Sequence, residues 1–83
     1  MKKEIIIKST AGLHASIASQ VVKAASQYDA DIRLVYADKT VDAKSILGLM
    51  SLAIPSGENV VLIAHGSDAA RVIEDIEKVL NKG

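Results

Sequence analysis

Cysteine is absent from the 83-residue sequence, and its absence removes several classes of site. Without cysteine the chain cannot form a disulfide framework or use a thiol as a nucleophile. The two histidines, His14 and His65, are too few to ligate an ordinary structural zinc ion without cysteine partners. We therefore expect a protein that needs neither a metal nor another cofactor.

Aromatic residues and an excess of charge are also scarce. Tyr28 and Tyr36 are the only aromatic residues, and ten basic residues balance ten acidic ones, so the formal net charge is zero. Nucleic-acid binders need a basic surface, and those that bind single strands need aromatic side chains on which bases stack. The composition therefore argues against a nucleic-acid partner.

Long apolar runs are missing as well. No run approaches the ~18 residues that cross a membrane. The isoleucines that follow Lys2 and Lys3 are interrupted by charges, unlike the apolar core of a signal peptide. Yet 49% of the residues are hydrophobic, which is enough for one small core. We expect a single cytoplasmic domain over residues 1–83, without membrane insertion.

The spacing of apolar residues divides the first half of the chain into a strand, a helix and a hairpin. Isoleucines dominate residues 2–8, which predicts a strand. After a break at residues 9–12, apolar residues recur at helical spacing, which predicts a helix that ends near Gln27. Only two polar residues separate the alternating stretches 31–37 and 40–43, as in a β-hairpin.

The second half contains an ambiguous apolar segment, a strand and a helix. Residues 45–54 hold too many apolar residues for one helix face, so a buried helix would use some and a partner surface the rest. After a turn rich in proline and glycine, both faces of the strand predicted over residues 60–65 are apolar, as in a central strand. Residues 66–68 offer a helix cap, and helical spacing continues to a stop near Gly83.

The resulting order is β-α-β-β-α-β-α, with a short middle helix. Strands that alternate with helices and include a hairpin predict an α+β layer. In it, a four-stranded, mostly antiparallel sheet carries the helices on one face. The pattern leaves the strand order open, and a ferredoxin-like domain shares the first six elements.

His14 is the strongest candidate for chemistry, because it follows a glycine turn and precedes the first predicted helix. A neutral imidazole is a competent nucleophile toward phosphorus. The unpaired N–H groups at the helix start would hold the oxygens of an arriving phosphoryl group. The alternative is that His14 is merely a polar residue at a helix end, since one Gly-Leu-His sequence is a weak signal.

Ser45 and His65 are further candidates. Ser45 precedes the ambiguous apolar segment, where its hydroxyl would cap a short helix. A phosphate there would place ~1.5 to 2 negative charges beside exposed apolar residues, which permits one partner and repels another. Nothing near His65 in the sequence completes a base, metal or nucleophile set. The acidic residues of the last helix are typical of a solvated face.

Two segments and the order of elements resemble HPr, the histidine-containing phosphocarrier family of the bacterial sugar phosphotransferase system. Gly-Leu-His-Ala opens the first helix at residues 12–15, and Ala-Lys-Ser-Ile-Leu-Gly-Leu-Met-Ser-Leu occupies residues 43–52. The resemblance covers essentially the full chain and implies the HPr-like open-faced sandwich with three helices. It implies that His14 accepts a phosphoryl group from enzyme I and passes it to sugar-specific enzyme II A domains, as a carrier rather than a turnover enzyme.

The middle segment carries a second implied site. Lys44, Ser45 and Ile46 match the site at which a dedicated HPr kinase phosphorylates HPr of low-GC Gram-positive bacteria. That form binds a catabolite-control repressor, so the resemblance implies that Ser45 is a regulatory phosphosite. It also implies an apolar docking patch for protein partners, formed by Ile46, Leu47 and Met50.

The sequence departs from the family pattern beside the histidine. The family has Gly-Leu-His-Ala-Arg-Pro-Ala, whereas this chain has Ser16 in place of the arginine and Ile17 in place of the proline. Arginine would give charge-assisted hydrogen bonds to the phosphoryl oxygens, each worth roughly 1.5 to 3 kcal/mol. Ser16 keeps a hydroxyl, and Ile17 recovers a backbone N–H. Phosphate binding would rest on the N–H groups of Ala15, Ser16 and Ile17, with slower transfer than in a typical member.

Three functions fit these residues. The first is a working phosphocarrier that uses His14. The second is a regulatory protein that resembles the HPr paralogue of catabolite repression and signals through phosphorylated Ser45, although that paralogue typically lacks the histidine and keeps the arginine and proline. The third is a docking module on an HPr fold in which neither residue is phosphorylated.

Overall fold

The computed structural model describes residues 1–81, which form seven elements in the predicted order. In chain order they are β1 (Lys2–Ile6), α1 (Ala15–Ser26), β2 (Asp31–Tyr36), β3 (Lys39–Asp42), α2 (Ile46–Ser51), β4 (Asn59–His65) and α3 (Ala69–Leu80). The predicted α+β class is therefore confirmed. Helix α3 ends at Leu80, and the predicted stop near Gly83 lies outside the described residues.

The four strands form one sheet in the order β1-β4-β2-β3, and every neighbouring pair is antiparallel. This order places β4 in the interior, as the two apolar faces of residues 60–65 predicted. Strands β2 and β3 form the predicted hairpin with a two-residue loop. The loop lies at residues 37–38, one position earlier than predicted, because Lys39 pairs with Tyr36 as the first residue of β3. The sheet is thus fully antiparallel, where the sequence predicted a mostly antiparallel one.

One face of the sheet packs against the helices and forms the core. Alternate strand residues point to this face and are almost fully buried; they are Ile5, Ile32, Leu34, Val60, Leu62 and Ala64. The helices contribute buried side chains to the same cluster; they are Ile17, Ala18, Val21, Ala25, Leu49, Val72, Ile73, Ile76 and Leu80. A side chain points to one face at every second strand position, so the intervening residues lie on the open face.

Strand β1 ends earlier than its isoleucine pattern predicted. Ile6 is the last residue paired with β4. The next backbone N–H groups bond elsewhere, because Ile7 donates to the Glu58 carbonyl oxygen at 2.9 Å and Lys8 to the Leu80 carbonyl oxygen at 3.0 Å. Ile7 is buried although it is not paired with β4, so the apolar pattern continues beyond the last residue of the strand.

The ambiguous segment divides as its excess of apolar residues indicated. Leu49, Leu52 and Ile54 are buried in the core. The other large apolar side chains of the segment, those of Ile46, Leu47 and Met50, are exposed. Among residues 1–81, no helix is both long and apolar enough to span a membrane.

The cap predicted before α3 forms only in part. Asp68 occupies the N-cap position, and its carbonyl oxygen accepts from Val72 N–H at 3.0 Å. Its side chain makes no capping hydrogen bond, which corrects the expectation that a side chain in residues 66–68 would close the helix. The N–H of Ala69 instead donates to the carbonyl oxygen of Gly66.

Candidate functional site

The turn before α1 is held by a close approach to the segment that follows α2. Gly12 has φ +73°, and a Cβ added there would lie 2.3 Å from the Ile54 carbonyl oxygen and 2.9 Å from the Pro55 Cα. The next N–H, that of Leu13, donates to the same Ile54 oxygen at 2.9 Å. Only glycine fits both this backbone conformation and this space. The contact fixes the point at which the chain turns into α1.

His14 is exposed and serves as the N-cap of α1. Its Nδ1 accepts a hydrogen bond from the Ser16 N–H at 3.2 Å, and its carbonyl oxygen accepts from the Ala18 N–H at 2.8 Å. Because Nδ1 is an acceptor, a neutral ring carries its proton on Nε2 and its lone pair on Nδ1. The nitrogen that can attack an electrophile therefore faces the helix N-terminus.

Further backbone donors belong to the same first turn of α1 as the Ser16 N–H that contacts this nitrogen. The N–H groups of Ala15, Ser16 and Ile17 have no acceptor within the helix by geometry, and α1 has no acidic residue in its first turn. Ala15 and Ser16 are exposed, whereas the Ile17 side chain is only 7% exposed and belongs to the core. Ile17 thus offers its backbone alone. These donors and the helix dipole favour an anion beside His14.

Within α1, formal positive charge is distant from the N-terminal end. The basic residue that α1 contributes near an end is Lys23, in the last turn. A rise of 1.5 Å per residue puts it about 13 Å from His14 along the axis. The side-chain donor that α1 places in its first turn is the Ser16 hydroxyl, so α1 offers the site dipoles rather than an ion.

Ser45 is the N-cap of α2 and is half-buried. Its Oγ accepts a hydrogen bond from the Gly48 N–H at 3.1 Å, which is the capping role that its sequence position indicated. Lys44 turns away from it, since its Nζ donates to the Tyr28 carbonyl oxygen at 2.8 Å. The backbone N–H of Lys44 donates to Asp42 Oδ1 at 2.9 Å, which orders the turn into α2.

The apolar patch of α2, formed by Ile46, Leu47 and Met50, is open to solvent, and Leu47 is 80% exposed. A short segment joins it to the histidine turn, because the chain runs from Met50 to Ile54, whose carbonyl oxygen accepts from Leu13. Local sequence patterns missed this link. The signal that could have found it is the glycine before the histidine, which indicates a close backbone approach without naming its partner.

Other candidate residues lie outside this arrangement. His65 is exposed at the end of β4, where it pairs with Asp31 in the ladder. Within residues 1–81, no three histidine, cysteine, aspartate or glutamate side chains lie together in a way that could hold a metal ion. The acidic face of α3 is less solvated than predicted. Glu77 Oε1 accepts from Lys3 Nζ at 2.7 Å, and Asp75 accepts a hydrogen bond from the Tyr28 hydroxyl.

Both tyrosines form hydrogen bonds that link separate parts of the chain. The hydrogen bond to Asp75, with partial burial, raises the pKa of the Tyr28 hydroxyl above its ordinary value. Tyr36 donates to Glu58 Oε1 at 2.9 Å, and this bond, again with partial burial, raises the pKa of Tyr36. Sequence reasoning missed both contacts, because each joins residues that are far apart along the chain.

Comparison with known proteins places this arrangement in a family. A family model described as the PTS HPr component phosphorylation site matches residues 1–82. The HPr phosphocarrier protein of Bacillus anthracis strain Ames is 36% identical, with 96% of this chain and 95% of that one covered and a TM-score of 0.92. The histidine-containing phosphocarrier protein of Mycoplasma is 33% identical, with both chains fully covered and a TM-score of 0.90.

A regulatory relative matches as well, at a lower structural score. Crh, the catabolite repression HPr of Bacillus subtilis, is 34% identical, with 100% of this chain and 99% of that one covered and a TM-score of 0.73. The comparisons therefore do not favour the regulatory alternative over the phosphocarrier. All these matches extend over nearly the whole chain rather than over one motif. The chain belongs to the HPr family, the histidine-containing phosphocarriers of the phosphotransferase system.

Proposed function

We propose that this protein carries phosphoryl groups in the cytoplasm, on Nδ1 of His14. Phosphorylated enzyme I would be the donor and sugar-specific enzyme II A domains the acceptors. The observation that carries the proposal is the 3.2 Å hydrogen bond from the Ser16 N–H to Nδ1. It directs the ring lone pair toward the donors at the start of α1, where an incoming phosphoryl group gains most from them.

The phosphoryl transfer step needs no chemical group beyond those of this protein and of phosphorylated enzyme I. The lone pair of Nδ1 forms a bond to phosphorus while the bond from phosphorus to the donor's leaving group breaks and its electron pair stays with the donor. The Ser16 N–H then exchanges its bond to Nδ1 for one to a phosphoryl oxygen. The N–H groups of Ala15 and Ile17 and the Ser16 hydroxyl complete the set of donors. Transfer to an enzyme II A domain is the same step in reverse.

The α2 patch of Ile46, Leu47 and Met50 is the proposed docking surface for these partners. Its exposure supports this role, since large apolar side chains grouped on a surface mark interaction sites. Its connection to the histidine turn through Ile54 supports it too, because a partner seated on the patch would approach His14.

Ser45 is the proposed regulatory phosphosite, for an HPr kinase and a catabolite-control repressor. Its hydroxyl caps α2 beside Ile46 and Leu47, so a phosphate would add negative charge at the rim of the docking patch. The added charge would weaken partners that dock through apolar contacts and create a site for a basic one. Treatment with HPr kinase should modify the wild type and Ser51→Ala but not Ser45→Ala, and an unmodified wild type would remove this part of the proposal.

Incubation with phosphoenolpyruvate and enzyme I tests the carrier function directly. We expect an acid-labile phosphohistidine on the wild-type protein and none on His14→Gln. The matched control is His65→Gln, which removes the other exposed histidine and should be labelled like the wild type. A wild-type protein that acquires no acid-labile phosphate would contradict the proposed function.

A further inference from the structure

Methionine supplies the only sulfur atoms of this chain. Cysteine is absent, and the two methionines are Met1 and Met50. Both are exposed, at 61% and 44% respectively. The phosphocarrier proposal uses Met50 only as part of an apolar surface, but a thioether also reacts with peroxides, which convert it to a polar sulfoxide. Because no thiol of the chain competes for the oxidant, the exposed methionines are the side chains on which mild oxidation falls.

Met50 adjoins both other members of the α2 patch. Ile46 precedes it by four residues and Leu47 by three, and residues at these spacings are neighbours on a helix surface. A polar oxygen on the Met50 sulfur would therefore stand beside both of these hydrocarbon side chains. Met50 does not belong to the buried core, so the same change leaves the packing of the fold intact.

The hydroxyls at the two ends of α2 already bond to its backbone. Ser51 Oγ donates to the Gly48 carbonyl oxygen at 2.7 Å, and Ser45 Oγ accepts from the Gly48 N–H at 3.1 Å. A sulfoxide oxygen on Met50 would be hydrated in the free protein. In an apolar interface it would lose this water without a replacement, and the burial of an unpaired polar group weakens binding.

We propose that Met50 is a redox-sensitive modification site, at which oxidation of the thioether to the sulfoxide releases the partners that dock on the α2 patch. The oxidant is a peroxide. The sulfur lone pair attacks one peroxide oxygen, the O–O bond breaks, and the proton of the transferred oxygen passes to the departing one, so that hydrogen peroxide leaves as water. Sulfur loses two electrons and the peroxide gains them. A methionine sulfoxide reductase restores the thioether. This inference rests on the docking role proposed above for the patch.

Met1 provides an internal comparison, because the same treatment oxidises it at a different place on the molecule. It directly precedes β1, an edge strand of the sheet, and its carbonyl oxygen accepts from the Ala64 N–H at 2.8 Å. Helix α2 packs near β3, at the opposite edge of the sheet. Oxidation of Met1 should therefore leave docking unchanged, so an effect of peroxide on docking belongs to Met50.

Calorimetric titration with enzyme I, before and after treatment with hydrogen peroxide, tests the inference, and mass mapping of peptides locates the added oxygen. We expect oxidation at both methionines and a dissociation constant for enzyme I at least about tenfold higher after treatment. Met50→Leu keeps an apolar side chain of similar size and should bind equally tightly before and after treatment. Met50→Gln is polar without oxidation and should bind like the oxidised wild type.

Failure of this inference is distinguishable from failure of the carrier function. Equal binding of the oxidised and unoxidised wild type, or a Met50 that resists peroxide while Met1 is oxidised, overturns the inference alone. Unoxidised protein that binds enzyme I in a peroxide-sensitive way but acquires no acid-labile phosphate contradicts the carrier function alone. Unoxidised protein that does not bind enzyme I overturns both. Urea denaturation should give the same free energy of unfolding before and after oxidation, and a loss that Met50→Leu prevents would trace the weaker binding to the fold and overturn the inference.

Discussion

His14 is the residue on which the proposed chemistry depends, and its neighbours supply dipoles where the family pattern supplies an ion. The first-turn N–H groups of α1 are fixed by the helix, so they require no reorganisation when a phosphoryl group arrives. They lack the full charge of a guanidinium, whose hydrogen bonds are worth roughly 1.5 to 3 kcal/mol each. Such a deficit corresponds to about ten- to a hundredfold in rate.

Restoring the arginine should therefore accelerate transfer through His14. We expect Ser16→Arg and Ser16→Arg/Ile17→Pro to accept phosphate from enzyme I at least about tenfold faster than the wild type. The single change should match or exceed the double one, because proline removes the Ile17 N–H and a side chain that is only 7% exposed. Phosphorylation rates measured under single-turnover conditions check this.

The control for that comparison is Ser19→Arg, which adds the same charge at an exposed position of α1 beyond its first turn. It should leave the rate nearly unchanged, since the effect of a helix-end charge falls off within one turn. If the wild type and Ser16→Arg were phosphorylated at equal rates, the backbone N–H groups alone would be enough to stabilise the phosphoryl group during transfer.

Gly12 should tolerate no side chain. Alanine there would need φ +73° and would place its Cβ 2.3 Å from the Ile54 carbonyl oxygen, so the turn would have to move. We expect Gly12→Ala to lower the free energy of unfolding by about 2 to 3 kcal/mol and to slow phosphorylation of His14. Urea denaturation measures the first effect and the enzyme I assay the second.

Gly57→Ala separates backbone strain from the clash. Gly57 also has positive φ, +89°, but a Cβ there meets nothing within 4 Å. It should cost only about 1 kcal/mol, from the left-handed backbone alone. If the two variants were equally stable, the contact between Gly12 and Ile54 would not hold the histidine turn.

At the scale of elements, two alanines occupy positions that favour glycine. Ala37, in the two-residue loop between β2 and β3, has φ 56°, and Ala53, directly after the C-cap of α2, has φ 49°. A left-handed backbone costs an L-residue roughly 1 to 2 kcal/mol. Both turns therefore store strain, and the second lies next to the segment that contacts Gly12.

Relief of this strain should stabilise the protein. Ala53→Gly releases roughly 1 to 2 kcal/mol of left-handed backbone strain in the folded state. Glycine also stabilises the unfolded chain by roughly 0.4 to 1 kcal/mol. We therefore expect a net increase of about 0.5 to 1 kcal/mol in the free energy of unfolding. Urea denaturation checks it. Ala70→Gly, at an exposed position of α3 with ordinary helical backbone, should instead destabilise by up to about 1 kcal/mol. Destabilisation by both would contradict the assignment of strain to Ala53.

Periodicity predicted the elements well where one face of each is buried. The core positions of α1 recur at helical spacing, and the excess of apolar residues in α2 correctly indicated both a buried and an exposed group. Periodicity failed at the end of β1, where Ile7 is buried although the strand has ended. Burial and strand pairing coincide over most of a strand, but the spacing of apolar residues reports burial and not hydrogen bonding between strands.

Contacts between distant residues lay beyond any local pattern. The composition identified Tyr28 and Tyr36 only as scarce aromatics, and the helical pattern identified Asp75 only as part of a charged face. Their hydrogen bonds depend on how the elements pack, which strand and helix periodicity does not encode. The same holds for the contact of Gly12 with Ile54, whereas the histidine turn and the α2 segment carried enough family sequence to be recognised.

Over the whole molecule, the hydrogen bonds of the two tyrosines join residues that are far apart along the chain. Tyr28, after α1, bonds to Asp75 of α3, and Tyr36, at the end of β2, bonds to Glu58 before β4. Lys44 Nζ adds a third link to the carbonyl oxygen of Tyr28. The ends of the α1–β2 and β2–β3 connections are therefore tied to the rest of the fold by hydroxyls that must stay protonated to donate.

Stability should consequently fall at alkaline pH in a tyrosine-dependent way. The folded-state pKa of each tyrosine is raised above the unfolded value near 10, so their contribution is fully present below about pH 10 and is lost as the pH rises through the folded values. Urea denaturation from neutral pH to about pH 11 should show a steeper loss for the wild type than for Tyr28→Phe/Tyr36→Phe. All other side chains are the same in both proteins, so the difference between the two curves isolates the contribution of the tyrosines. Parallel curves would mean that neither hydroxyl bond contributes to the stability of the fold.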